Sequence, residues 1–162
     1  MYDIASLDGS IVSLVNYGVN SAIDVAGVNP TEGALLVGNP LNLNGTQQWK
    51  FEKISDGPVW PIWKIQHVDT GKYADLDSGS HDNGAKIRIS SPGETASDNQ
   101  HWCLVSADPD FRVFMIMNVA SGTYIDLFNG SPKPGTPVQG WKGNVYDKNS
   151  HQLWKFGPVP GA

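Results

Sequence analysis

Three aspartates recur at a fixed interval along this chain. Their carboxylates are candidate ligand-binding groups. Asp24, Asp75 and Asp126 stand 51 positions apart. A carboxylate can accept hydrogen bonds from two neighbouring hydroxyls at once, and such charge-assisted bonds are about twice as strong as neutral ones. An aspartate can instead stabilise its own turn by bonding the nearby backbone. The interval indicates three copies of one unit, each with a candidate acceptor.

Two further marks repeat in step with the aspartates. A glycine stands nine positions after each of them, and Gln-x-Trp closes each copy, with Trp49, Trp102 and Trp154 spaced 53 and 52 positions apart. Self-similarity at a fixed period indicates a repeat architecture, and units of about 50 residues are too small to bury separate cores. We predict one domain with repeats at about 1–53, 54–106 and 107–162, closed around a pseudo-threefold axis.

Each copy contains strand patterns separated by turn residues. Residues 69–76 and 120–127 both show a glycine turn followed by alternating apolar positions, and a more continuous apolar strand precedes each turn. Turn signals at this spacing are typical of all-β proteins. No useful window has a 3.6-residue apolar period, so essentially no α-helix is expected. The prediction is an all-β protein of about twelve strands.

The closing strands also predict which side chains face the core. Side chains alternate across a strand, so Trp102 and Leu104 share a face, and the corresponding pairs do so in the other copies. Cys103 faces away, in the place of Lys50 and Lys155. We therefore expect Cys103 on the outer face and at least partly accessible. The motif glutamines are expected to bond buried backbone at the turns.

The composition excludes several classes of partner. The chain has 162 residues, 40% hydrophobic and 17% charged, with a net charge of −5. Nucleic acid and anionic membrane surfaces need a basic patch, and no stretch approaches the apolar length of a membrane span. The single cysteine excludes an intrachain disulfide. The first eight residues lack a signal-peptide pattern, so we expect a cytoplasmic protein, or one released without the classical secretory pathway.

Motifs for catalysis or for a cofactor do not appear in the sequence. There is no Gly-x-Ser-x-Gly elbow, no His-Glu-x-x-His and no phosphate-binding glycine loop. The four histidines show no metal-ligand spacing, and the aspartate pairs do not form a calcium-loop pattern. The sequence thus predicts a binding protein without metal, cofactor or enzymatic activity.

Three Gln-x-Trp units in register with Asp and Gly resemble the ricin-B-type β-trefoil lectins. The resemblance covers the whole chain, and residues 22–27 are particularly similar to the cytoplasmic lectins of mushroom fruiting bodies. It implies a six-stranded barrel capped by three hairpins, with one potential sugar pocket in each repeat.

The resemblance also implies the residues of a sugar site, and the third repeat matches best. The family pattern is an Asp, a polar residue 13 positions on and an aromatic residue 15 positions on. Asp126, Gln139 and Trp141 fit this pattern. His151 stands where the family has Asn, and Asn129 lies in the loop that follows the aspartate. These five residues are the predicted sugar-binding set.

The other two repeats match less completely. Arg88 and Ser90 occupy the polar and aromatic places of the second repeat, and Val37 and Asn39 occupy those of the first. Both repeats therefore lack the stacking aromatic at its usual position. Their further candidate sugar-site residues are Asp75, Ser78 and Asn99 in the second repeat and Asp24, Gly27 and Asn39 in the first.

These residue types suit sugar chemistry. A galactose-like ring has a polar rim, which a carboxylate and an amide can bond, and an apolar face, which an aromatic ring can cover. Trp141 follows Gly140 and precedes a polar loop, so burial does not explain it. Exposed aromatics also mark protein contacts, and Asp126 can also serve its turn.

The leading hypothesis is a lectin for terminal galactose or N-acetylgalactosamine on glycoconjugates, with a defensive role that the resemblance implies. The alternative is a β-trefoil protease inhibitor that acts through its surface loops and would not need the third-repeat set. A scaffold with decayed pockets is a third reading. Agglutination of cells would need at least two working sites, from several repeats or from a homodimer.

Overall fold

The computed structural model describes residues 4–93 and 97–159. Residues 1–3, at the start of the predicted first repeat, and 160–162, at the end of the third, lie outside these ranges. The strands are β1 (Ile11–Asn16), β2 (Ser21–Val25), β3 (Leu36–Pro40), β4 (Trp49–Ser55), β5 (Ile62–His67), β6 (Tyr73–Leu76), β7 (Ala85–Ser90), β8 (Trp102–Ser106), β9 (Phe114–Asn118), β10 (Tyr124–Leu127), β11 (Thr136–Trp141) and β12 (Trp154–Gly157).

The described residues confirm the prediction of about twelve strands and essentially no α-helix. Their only helical segments are 3-10 turns of three residues. None of the helical segments in 4–93 and 97–159 has the length and apolar character needed to cross a membrane.

Six strands form a closed barrel. β1 pairs with β4 and β12, β4 with β5, β5 with β8, β8 with β9, and β9 with β12, all antiparallel. The barrel therefore consists of the first and the last strand of each copy. Closure pairs both edges of every barrel strand, which removes the exposed edges of an open sheet.

The two middle strands of each copy form a hairpin that caps the barrel. The hairpins are β2–β3, β6–β7 and β10–β11. They meet around the axis because β11 also pairs with β3 and β7, and a bridge between Leu35 and Arg88 joins the remaining pair of hairpins. A six-stranded barrel with three capping hairpins is the β-trefoil architecture that the resemblance implies.

The Gln-x-Trp motif ties each hairpin to the barrel. Trp49, Trp102 and Trp154 are at most 1% exposed in the core, as predicted. Each indole nitrogen donates to the carbonyl of the residue before the aspartate of its own copy, at 3.0 Å. The motif glutamine donates to that aspartate at 3.1, 2.9 and 3.0 Å in the three copies. It also donates to a backbone carbonyl at the end of the second hairpin strand or just after it, that of Pro40, Ser91 or Lys142. The bond to backbone is as predicted, although these three residues are exposed and not buried.

A further threefold repeat joins neighbouring copies. Asn16, His67 and Asn118 end the first strand of each copy at intervals of 51 and are at most 1% exposed. The Asn118 amide donates to the carbonyl of Asn99 at 2.9 Å, and Nε2 of His67 bonds the carbonyl of Thr46 at 3.0 Å. The Asn16 amide donates to the carbonyl of Ser150 at 3.0 Å. Each of these side chains therefore bonds the Gln-x-Trp turn of the copy that precedes it around the barrel.

The predicted accessibility of Cys103 is wrong. Its side chain lies outside the main core, but the residue is only 6% exposed. Cys103 pairs with Met117, and the outer face of β8 and β9 carries a second apolar cluster that includes Val105, Met115 and Leu153. The outer face of this hairpin is therefore covered by apolar side chains, including one from a loop about 50 positions later in the chain. Burial raises the pKa of the Cys103 thiol above its usual value.

Cys103 should react slowly with a thiol reagent while the protein is folded. Burial limits the access of the reagent, and the raised pKa lowers the amount of thiolate at pH 8. We therefore expect a rate at least about tenfold below that of a free cysteine. The measurement is the rate of colour release with an aromatic disulfide reagent, and the same chain in guanidinium is the control. Equal rates in the folded and unfolded protein would contradict the buried placement.

Candidate functional site

The third hairpin brings the predicted polar residues together. β10 and β11 pair with Asp126 opposite Gln139 and with Tyr124 opposite Trp141. Directly opposite residues share a face of the hairpin, so Gln139 stands beside the carboxylate of Asp126. Trp141 is two positions along the same strand and projects on the same side as Gln139. The register thus explains why spacings of 13 and 15 residues bring these groups to one place.

The carboxyl of Asp126 is buried and held by amides. The residue is 3% exposed, and its Oδ2 accepts from Nε2 of Gln152 at 3.0 Å. Burial raises the pKa of Asp126 above its ordinary value, although the hydrogen bonds from Gln152 and Gln139 and the nearby His151 oppose this effect. The site therefore contains an acceptor in a fixed orientation that burial makes costly to ionise.

A tight turn follows the aspartate and carries two more candidates. Asn129 lies in the 3-10 turn Phe128–Gly130 with a φ of 53°, and Gly130 follows at 62°. A Cβ on Gly130 would lie 2.6 Å from the ring of His151, so only glycine allows this close approach. The turn thereby places Asn129 and the imidazole of His151 along one edge of the site.

All five predicted third-repeat residues line one surface pocket. The pocket has a volume of about 270 Å³. Its lining is Asp126, Phe128, Asn129, Gln139, Trp141, Asn149 and His151. It therefore combines a carboxylate, three amides, an imidazole and two aromatic rings. Such a mixture suits a small ligand with both hydroxyl groups and an apolar face.

Phe128 and Asn149 were missed by the sequence analysis. Phe128 is 43% exposed and stands in the turn where the second repeat has Asp77. Asn149 caps the turn Ser150–Gln152, because its Oδ1 accepts from the backbone N–H of His151 at 3.1 Å. The asparagine two positions before His151 carried a capping signal, but nothing in the sequence showed that it also faces a pocket.

Comparison with protein families assigns the chain. Residues 2–89, 46–141 and 98–161 match the model described as ricin-type β-trefoil lectin domain-like. The chain belongs to this lectin-domain family. Membership and fold confirm the resemblance seen in the sequence, and they support carbohydrate binding as its class of function. A comparison with curated proteins gives no match.

Solved structures include several complete β-trefoils similar to this lectin-family chain. The designed threefold-symmetric protein ThreeFoil is 24% identical with a TM-score of 0.80, covering 92% of this chain and 99% of its own. The Rhizoctonia solani agglutinin is 22% identical with a TM-score of 0.76, covering 93% and 96%. The ricin B-like lectin of Macrolepiota procera, solved with lactose, is 21% identical with a TM-score of 0.74, covering 94% and 97%.

The second repeat of this lectin domain has a different site. Asp75 lies opposite Arg88 and accepts from Gln100 at 2.9 Å. Arg88 forms an ion pair with Asp77 at 2.9 Å, and both of these residues line a surface depression of about 390 Å³ that does not include Asp75. With Ser90 in the aromatic place, the repeat has a charged surface and no stacking ring there.

Two other second-repeat candidates occupy structural positions. Ser78 has a φ of 55°, close to the 53° of Asn129 in the third repeat, and its hydroxyl donates to Asp77 at 3.5 Å. The side chain of Asn99 packs against Gly79, as His151 packs against Gly130. The backbone of the third-repeat site is therefore reproduced here, and the aspartate is present as well. Arg88 and Ser90 replace the amide and the aromatic ring.

The first repeat uses its polar groups internally. Asp24 is 5% exposed, and its carboxylate accepts from the backbone of Val25 at 2.7 Å and from Asn39 and Gln47 at 3.1 Å each. Oδ1 of Asn39 accepts from the backbone of Gly135 at 2.8 Å. Both candidates thus hold hairpins together. Gly27 lies in the exposed turn after β2 with a φ of 99°.

Asp24→Ala should lower stability rather than ligand binding. The substitution removes an acceptor from the buried Gln47 amide, the buried Val25 N–H and the part-buried Asn39 amide. We therefore expect a loss of about 1–3 kcal/mol in the free energy of unfolding. Urea denaturation followed by tryptophan fluorescence measures this loss. Val28→Ala, at a site 93% exposed in the next loop, is the control and should change stability little. An Asp24→Ala protein as stable as wild type would contradict the structural role.

Proposed function

We propose that this protein is a lectin that binds terminal galactose or N-acetylgalactosamine in the third-repeat pocket and performs no catalysis. The observation that carries the proposal is the convergence of Asp126, Gln139 and Trp141 with Asn129 and His151 around one pocket. The first two repeats lack the aromatic residue of this set. We therefore assign the binding activity to the third repeat.

The chemistry of the pocket fits a sugar ring with adjacent hydroxyls. The Asp126 carboxylate accepts from two hydroxyls, and the Gln139 amide beside it can both donate and accept. Trp141 covers the apolar C–H face, which removes that face from water. Asn129 and His151 at the edge supply further polar contacts. A shallow pocket of this kind gives weak single-site affinity, because a sugar has little apolar area to bury.

The known ligands of similar structures support galactose as the sugar. The Macrolepiota procera lectin was solved with lactose, and the Polyporus squamosus lectin was solved with a sialylated glycan that contains galactose. A similar module covers 31% of an exo-β-1,3-galactanase from Clostridium thermocellum, which is 26% identical to this chain with a TM-score of 0.77. Proteins of different activity thus carry this fold.

A single complete pocket limits what the monomer can do. Crosslinking of cell-surface glycans needs two or more sites on one particle. A homodimer would supply them, and we include it in the proposal together with a defensive role of a cytoplasmic lectin against feeding animals.

We expect binding to galactose-terminated glycans to fall about tenfold or more in either of two variants. Asp126→Asn removes the charge-assisted hydrogen bonds, and Trp141→Ala removes the stacking surface. The measurement is a glycan array followed by calorimetry with lactose. Asp75→Asn is the matched control, since it makes the same change in a repeat without the aromatic residue.

Thermal unfolding of every variant separates lost binding from lost structure. Binding that persists in both Asp126→Asn and Trp141→Ala would place the site elsewhere. A folded wild-type protein that binds no glycan would overturn the lectin assignment, and inhibition of proteases would then be measured.

Affinity for galactose should fall on mild acidification. The ionised carboxylate accepts two hydroxyl donors, and the raised pKa of Asp126 means that it protonates at a higher pH than an ordinary aspartate. This group does not destabilise the fold over that range, because a carboxyl with a raised folded-state pKa contributes more stability as the pH falls. The measurement is the dissociation constant of lactose between pH 7 and pH 4.

His151 also lines the pocket, so it needs its own control. His151→Asn carries the residue type of the family at this position and should keep the acid loss of affinity. Asp126→Asn should bind weakly at every pH. A His151→Asn variant with a flat profile would assign the pH dependence to the histidine instead.

A further inference from the structure

A second pocket adjoins the proposed sugar site. It has a volume of about 300 Å³ and shares Trp141 and Asn149 with the first pocket. Its other polar lining comes from Lys142, Asn144 and Asp147, with Gln152 beside them. Trp141 is therefore a wall of two neighbouring pockets, and a ligand longer than one sugar residue can reach both.

The loop that forms this pocket has a turn of its own. The chain between β11 and β12 contains the 3-10 turn Val145–Asp147 before the Gln-x-Trp turn. Oδ1 of Asn144 caps it by accepting from the backbone N–H of Tyr146 at 2.9 Å. Among the described residues, the corresponding loops of the first two repeats contain only the Gln-x-Trp turn. The second pocket thus occurs beside the one repeat that has the stacking aromatic.

Gln152 connects the two pockets. It is fully buried, and its Nε2 donates to Asp126 at 3.0 Å and to the carbonyl of Lys142 at 2.9 Å. These two acceptors fix the orientation of the amide. Its Oε1 then has no hydrogen-bond partner among the described residues. Gly143 lies so close to this oxygen that a Cβ there would collide with it. An acceptor therefore lies under the second pocket, beside backbone that carries no side chain.

The charges of this pocket favour a neutral ligand. Lys142 and Asp147 are both exposed and have opposite signs, and neither forms an ion pair with a described residue. Together with Asn144 and Asn149 in the same lining, they present donors and acceptors for hydroxyl or acetamido groups without a net charge. A sugar with a carboxylate would gain from the lysine and lose from the aspartate.

We propose that this pocket is a second subsite, which binds the penultimate neutral sugar of a glycan whose terminal residue is held at Asp126. The inference rests on the proposed function of the first pocket. It makes the protein selective for an oligosaccharide over its terminal monosaccharide, because Asp147 and Lys142 contact only the inner residue. Trp141, which lines both pockets, contacts both residues.

The test compares a monosaccharide with disaccharides. Calorimetry with methyl β-galactoside, lactose and N-acetyllactosamine gives the three dissociation constants for each protein. Wild type should bind the disaccharides about tenfold more tightly than the monosaccharide, and Asp147→Ala and Lys142→Ala should each remove about threefold to tenfold of that gain. Neither change should alter monosaccharide binding by more than about twofold.

Tyr146→Ala is the matched control. It lies in the same 3-10 turn, is 85% exposed and does not line the pocket, so it should leave all three constants unchanged. Circular dichroism and thermal unfolding verify that the loop variants remain folded.

The outcomes separate this inference from the proposed function. Two results together would overturn the second subsite alone. Monosaccharide binding would be lost in Asp126→Asn, and disaccharide binding would be unchanged in Asp147→Ala and Lys142→Ala. Equal affinity of wild type for galactoside and disaccharides would overturn it as well. Failure to bind any of the three sugars would overturn both the second subsite and the galactose specificity of the proposed function.

Discussion

The buried hydrogen bonds of Gln-x-Trp are the interaction on which the rest of this structure depends. Each tryptophan fills the core and donates its indole N–H to the hairpin, while the glutamine two positions earlier bonds the aspartate of that hairpin. A buried polar group left without its partner costs about 1–3 kcal/mol. Each repeat therefore links the stability of the barrel to that of its capping hairpin through these bonds. The bond that secures the fold also orients the carboxylate of the candidate site.

The three repeats therefore share one backbone arrangement, but the side chains beside the aspartate differ between them. The aspartate is fixed by the fold in every repeat, and the two cross-strand positions beside it decide what it does. Gln139 and Trp141 leave a pocket in the third repeat. Arg88 forms an ion pair with Asp77 in the second, and Asn39 bonds Asp24 in the first. Structure therefore needs all three aspartates, while the proposed ligand contact needs one.

The third-repeat carboxylate is held in a fixed orientation, but its burial carries an energetic cost. Burial disfavours its charged form, and amides from Gln152 and Gln139 offset part of that cost while holding it in position. In the proposed complex, a sugar hydroxyl would bond an acceptor whose orientation is already fixed, so little ordering of this group would accompany binding. The ring of His151 packs against Gly130, which limits its movement at the edge of the pocket.

The sequence by itself determined the threefold plan, the strand pattern and the inward tryptophans, because periodicity and alternation are local properties of a chain. Together with the family resemblance, the sequence also predicted the third-repeat sugar-binding set. This was possible because the strand register of a hairpin brings residues at fixed sequence spacings close together. Tertiary structure alone decided that Cys103 is buried, that Asn39 spans two hairpins and that Asn149 joins the pocket. These outcomes depend on which distant segments cover a face or end beside it, and the order of residues along one strand does not contain that information.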